Sequence, residues 1–81
     1  MAKDYIYERL VRSVVKCLKD ERERAGLSMN ALSKKAGISQ SMLSLVERDK
    51  RSPTLDTLLR ISMALEFDLG KAISRALKDA K

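Results

Sequence analysis

LSMNALSKKAGISQSMLSLVERDKRSP, residues 27–53, reads as two short helices joined by a tight turn and followed by a basic loop. Ser28 stands where its hydroxyl can accept a hydrogen bond from an unpaired amide of a first helical turn. Met29 to Ala36 then supplies about two turns, with Leu32 and Ala36 four apart on one face. Gly37 can take the left-handed backbone that ends a helix at no steric cost. Ile38 is an apolar plug, Ser39 a second N-cap, and Gln40 to Arg48 a second helix.

Helix, glycine turn, helix is the helix-turn-helix layout, with its motif at about 28–48. At about 100° per residue the second helix divides into two faces. Met42, Leu43 and Val46 share the arc expected to point into a core. Gln40, Ser41, Ser44, Leu45 and Arg48 share the opposite arc, and most of these are uncharged hydrogen-bonders rather than a Lys/Glu mixture. Glutamine can pair bidentately with adenine, serine can bond to most base edges, and leucine can meet a thymine methyl. A short exposed helix that happens to be rich in serine would show the same face, so both readings stay open here.

Charge placement favours one of them. Between Glu23 and Glu47 there is no Asp or Glu, while Arg24, Lys34 and Lys35 lie inside that interval. A surface that approaches phosphates cannot tolerate carboxylates, because like charges at close range repel and are poorly screened once water leaves. The acid-free interval coincides with the two-helix unit. Double-stranded DNA becomes the favoured partner.

The whole chain sets the bounds. Eighty-one residues at 44% hydrophobic content suit one small folded domain, 1–81, and leave no room for an enzyme built on a large pocket. A net charge of +6 and a pI near 9.8 favour an anionic partner. The single Cys17 excludes an internal disulfide and fits a reducing, cytoplasmic setting. No apolar run suggests a membrane span, and no signal-peptide pattern is present. An enzyme is the weakest class: there is no histidine, Cys17 has no base partner, and neither a phosphate-binding glycine loop nor a metal-ligand cluster occurs. No cofactor is expected.

Along the chain, Met1 to Asp4 reads as a frayed end. A helix follows from about Tyr5 to Ala25, with Tyr7, Leu10, Val11, Val14, Val15 and Leu18 at the spacing of an apolar stripe. It would be roughly 30 Å long, exceeding a helix-turn-helix core by two or three turns, so 1–13 forms an extension. Charges fill its opposite side, with Asp20 and Arg24 placed for an i, i+4 pair; Gly26 ends it. After the polar loop 49–53, Thr54 caps a helix whose core face is Leu55, Leu58, Ile61, Ser62 and Leu65. Leu59 and Met63 add an apolar edge that a monomer does not need. Asp68 caps a last helix, Leu69 to about Ala80, with Ala72, Ile73, Ala76, Leu77 and Ala80 on one side. Five helices and no strands make the chain all-α.

From about Leu18 to Ile73 the chain resembles the lambda-repressor-like, Cro/Xre-type helix-turn-helix family of DNA-binding transcriptional regulators. The resemblance rests on ERERAGLSMNALSKKAGIS and MLSLVERDKRSPTLDTLLRISMALEFDL. It implies a five-helix domain whose second motif helix lies in the major groove, with Gln40, Ser41, Ser44 and Leu45 facing base edges. It implies that Arg22 pairs with Glu47, partly buried, and is aimed towards a phosphate. Ser28, Asn30, Ser39, Arg48, Lys50 and Arg51 complete the backbone-contact set. Met29 departs from a glutamine that the family commonly has there, Glu21 from an apolar residue, and Leu45 from polar or basic side chains. Arg48 and Asp49 replace an Asn/Gly-like turn, which leaves the loop geometry open.

One such unit contacts only about four or five base pairs, so these proteins usually act as dimers on half-sites about one helical turn apart. Leu59, Met63, Phe67, Ile73 and Leu77 are the expected homodimer interface, although ordinary core packing accounts equally for Phe67. The expected function is a small homodimeric repressor or controller protein without a small-molecule effector. The competing reading is a protein-interaction module of the same fold, such as an antitoxin that binds a partner protein as well as DNA.

Overall fold

The computed structural model describes residues 2–80, with side-chain surroundings over 5–80. Among these residues there are five helices and no strand: α1 (Ala2–Arg24), α2 (Met29–Ala36), α3 (Gln40–Glu47), α4 (Leu55–Ala64) and α5 (Leu69–Asp79). The all-α architecture expected from the periodicity is therefore the one observed.

Each of the last four helices starts on a residue suited by its side-chain oxygen. Ser28, Ser39, Thr54 and Asp68 accept hydrogen bonds from the amides of Ala31, Met42, Thr57 and Gly70. Each satisfies a donor that the helix itself cannot, which is typically worth about 1 kcal/mol. The C-terminal ends of α1 to α4 share one device as well. The amides of Leu27, Ile38, Lys50 and Phe67 reach back to the carbonyls of Arg22, Ser33, Leu45 and Ser62. This six-to-one bond needs a left-handed residue just before it. Gly26, Gly37, Asp49 and Glu66 take that conformation, with φ of 72°, 72°, 60° and 54°. Gly37 does so where an added Cβ would stand 3.2 Å from Arg60 Nη1, so both backbone and space favour glycine there. Asp49 thus keeps the left-handed geometry usual for an Asn/Gly-like turn, which resolves the loop geometry left open by the sequence.

Burial gathers Val14, Leu18, Leu32, Leu43, Ile61, Leu69, Ala72 and Ala76 into one core, with Val15, Ala36 and Val46 also enclosed. α1 packs mainly on α5, and α2 on α3 and α4. The small residues Ala72 and Ala76 let α5 lie close against Val14 and Leu18. Ser33 and Ser62 are buried too, at no cost in unsatisfied groups, because their hydroxyls donate to the carbonyls of Asn30 and Leu59. Ile38, Leu58, Leu65 and Phe67 are half-buried and pack against the core, Phe67 as ordinary core packing requires, whereas Met42, expected to point into the core, is only half-buried.

Several expectations need correction. α1 already begins at Ala2, so Ala2 to Asp4 belong to the helix, and Met1 lies outside the described residues. Tyr7 is on the apolar stripe yet 61% exposed, as are Tyr5 and Ile6 to similar degrees. The stripe continues past the residues of α1 that join the core, so Tyr5, Ile6 and Tyr7 stay accessible. Leu55 is exposed for the same reason, sitting at the first position of α4 beyond its neighbours. Ile73 and Leu77 lie at the edge of α5's buried face and remain accessible, and Ala80 is exposed. Arg24 pairs with Glu21 at 2.8 Å rather than with Asp20, which lies 3.5 Å from Lys16. Both spacings are geometrically open on a helix.

Candidate nucleic-acid interface

α3 is seated by Leu43 and Val46, which are 1% and 2% exposed. That seating turns Gln40, Ser41, Ser44, Leu45 and Arg48 outwards, where they border one shallow concavity. The four residues expected at base edges are thus brought together, with Gln40 and Ser41 exposed and Ser44 and Leu45 half-buried. No acid lies in α3 before Glu47, and Glu47 itself is turned inwards.

Glu47 is held there by Arg22. The guanidinium donates from Nε to Oε2 at 2.8 Å and from Nη2 to Oε1 at 3.0 Å, while Nη1 donates to the Leu27 carbonyl at 2.8 Å. The side chains are 10% and 4% exposed. Two parallel charge-assisted bonds fix the angle between α1 and the end of α3 as well as their distance. The hydrogen bond to Glu47 raises the Arg22 pKa above the usual arginine value, against the opposing effect of burial; attraction to Glu47 and Glu23 adds to the rise. The ion pair expected from the sequence is therefore present. Three of the guanidinium's N–H groups point inwards, so the geometry makes Arg22 first a brace between helices.

Around this seat the cations lie on the surface. Lys34 and Lys35 stand at the end of α2, Arg48 at the end of α3, and Lys50 and Arg51 in the following loop. All five are exposed. Ser28 and Ser39 use their oxygens as caps, at 3.0 Å each, which leaves the hydroxyl protons available to an anion. Asn30 lies in the first turn of α2, whereas Met29 packs against the core. Met29 thus exchanges a surface polar contact for packing.

One contact has no counterpart among the sequence expectations. Arg12 Nε lies 2.8 Å from Asp49 Oδ2, joining α1's extension to the loop after α3. Nothing in the local spacing of either residue signals a partner so far away in the chain. Among the expected interface residues of the α4–α5 side, Leu59, Met63, Ile73 and Leu77 are exposed and Phe67 is half-buried. Among the described residues, no helix is long and apolar enough to cross a membrane.

Comparison with known proteins agrees with this fold. The helix-turn-helix family model matches residues 18–71, more than half of the chain. The chain belongs to the Cro/Xre-type helix-turn-helix family of DNA-binding transcriptional regulators. It is similar to the HTH-type transcriptional regulator SutR of Escherichia coli, 36% identical over 67 residues, covering 83% of this chain and 38% of that protein. It is also similar to the HTH-type transcriptional regulator ImmR of Bacillus subtilis, 38% identical over 63 residues, covering 73% of this chain and 50% of that protein. The chain thus spans half or less of the length of these relatives.

Proposed function

We propose that this chain is a sequence-specific regulator of transcription that binds double-stranded DNA and reads the major groove with α3. The observation that carries the reading is the outer face of α3, where Gln40, Ser41, Ser44 and Leu45 border one acid-free concavity. In this arrangement Gln40 pairs with an adenine, the two serines bond to neighbouring base edges, and Leu45 meets a thymine methyl. Ser28, Asn30, Ser39, Arg48, Lys50 and Arg51 contact phosphates on either side, and the outermost N–H groups of Arg22 add one more. The first set selects the sequence and the second sets affinity and register.

The regulator acts in the cytoplasm as a homodimer, a repressor or controller, with residues 1–81 serving as one DNA-binding domain. Leu59, Met63, Ile73 and Leu77, with Phe67 behind them, form the proposed contact between copies. Isolated exposed apolar residues are ordinary, but four on two adjacent helices are more than a monomer of this size needs. Chemistry at the site is limited to recognition, with neither catalysis nor a bound effector.

Selection of duplexes from a random pool, followed by titration of variants, tests the reading. Gln40→Ala is expected to lose discrimination at one base pair, at about 1–3 kcal/mol on the selected site. Lys50→Ala and Arg51→Ala are expected to weaken binding to all sequences alike. Each should lower the salt slope by roughly one unit, the amount set by one phosphate that is no longer neutralised. A Gln40→Ala protein as selective as its parent would overturn the assignment of α3. Sedimentation at micromolar protein reads the dimer, and a strict monomer that protects a single half-site would exclude it.

A further inference from the structure

Asp49 is the one acid between Glu47 and Asp56, and Arg48, Lys50 and Arg51 surround it in the sequence. It occupies the left-handed position that closes α3, at φ 60°, so its carboxylate is presented at the root of the cationic loop. Left alone there, it would repel each phosphate that the neighbouring cations attract. It is not left alone. Arg12 Nε meets Asp49 Oδ2 at 2.8 Å.

Arg12 lies N-terminal to the segment matched by the family model, residues 18–71. The ion pair is part of a longer apposition. Tyr7, Val11 and Arg12 of α1 line one groove with Lys50, Arg51 and Pro53. The other charged groups beside Asp49 are Glu8, Lys16, Lys19, Asp20, Glu23 and Glu47. Of these, Glu47 is held by Arg22, and Lys16 lies 3.5 Å from Asp20. Both side chains of the Arg12–Asp49 pair are more than half exposed, at 52% and 60%, so the pair adds little to folding stability. Its effect falls instead on the field and the conformation of the loop.

We infer that Arg12 is a positioning residue for DNA binding: it neutralises Asp49 and pins the loop 49–53 in the conformation that meets phosphates. The extension of α1 thereby acts on the interface through Asp49 without touching DNA. This assignment rests on the DNA-binding reading above.

A double-mutant cycle separates the alternatives. The full chain, Arg12→Ala, Asp49→Asn and the double variant are titrated with a mixed-sequence duplex of about 20 base pairs across a range of salt. Asparagine tolerates the left-handed backbone, so the turn survives the removal of charge. Arg12→Ala is expected to weaken binding roughly three- to tenfold, as suits an exposed pair. In the Asp49→Asn background the same change is expected to alter binding by less than about twofold and to leave the salt slope unchanged. An equal loss in both backgrounds, with the slope lower by about one unit, would mean direct phosphate contact and overturn the assignment. No loss in either background would overturn it too. A parent that binds no duplex overturns the DNA-binding reading and this assignment together, whereas a parent that binds without coupling overturns the assignment alone.

Discussion

Glu47→Ala is expected to destabilise the domain by about 3–5 kcal/mol, the cost of leaving one partner of a buried ion pair without the other. Arg22 would keep one hydrogen bond, to the Leu27 carbonyl, and a longer approach to the exposed Glu23 at 3.9 Å, with a side chain that is 10% exposed. Small domains are stable by roughly 5–15 kcal/mol in total, so the loss is a large share. At about 4–8 °C per kcal/mol for a chain of this length, the melting midpoint should fall by more than about 10 °C. Replacing both residues with apolar side chains of similar volume is expected to recover most of it, since each charge is then removed with its partner. Urea unfolding of the two proteins checks this; a single-variant loss below about 1 kcal/mol would mean that the pair behaves as a surface bridge. The folded state binds the Arg22 proton more tightly than the unfolded chain does. Its contribution is therefore complete below the ordinary arginine range and is lost only as pH rises through the raised value.

Leu43→Ala is the second large effect. Leu43 is 1% exposed at the centre of α3 and packs within the main core. Truncation is expected to cost about 2–5 kcal/mol, the spread reflecting how far the site can collapse around the void. Because Leu43 also sets the height and rotation of the proposed reading face, DNA affinity should fall even at temperatures where the variant is fully folded. Thermal unfolding and a titration at low temperature separate the two losses. A variant that unfolds with the parent would show that α3 is held by its ends alone.

Local chemistry makes the helix ends legible. Ser28, Ser39, Thr54 and Asp68 announce their positions because a capping oxygen must lie within a few residues of the amide it serves. The inward arc of α3 is legible for a similar reason, since Leu43 and Val46 obey a period fixed by the helix. Periodicity gives the direction of a face but not the length of its partner, which is why Tyr7 and Leu55 share the core's spacing and are nonetheless exposed. Pairing fails for another reason. Arg24 has two acids within reach and takes Glu21, a choice that spacing alone does not make. Arg22–Glu47 is reachable through family resemblance, whereas Arg12–Asp49 lies partly beyond the matched segment and has no local signature.

α3 is eight residues long. In water a free peptide of that size is mostly coil, because helix nucleation outweighs the few bonds that follow it. The rod proposed to read DNA therefore has no existence apart from the tertiary structure beneath it. Recognition should fail at the same temperature as global melting, with no looser state that still grips an operator. Any cellular factor that shifts the folding equilibrium would then set the dose of competent regulator directly.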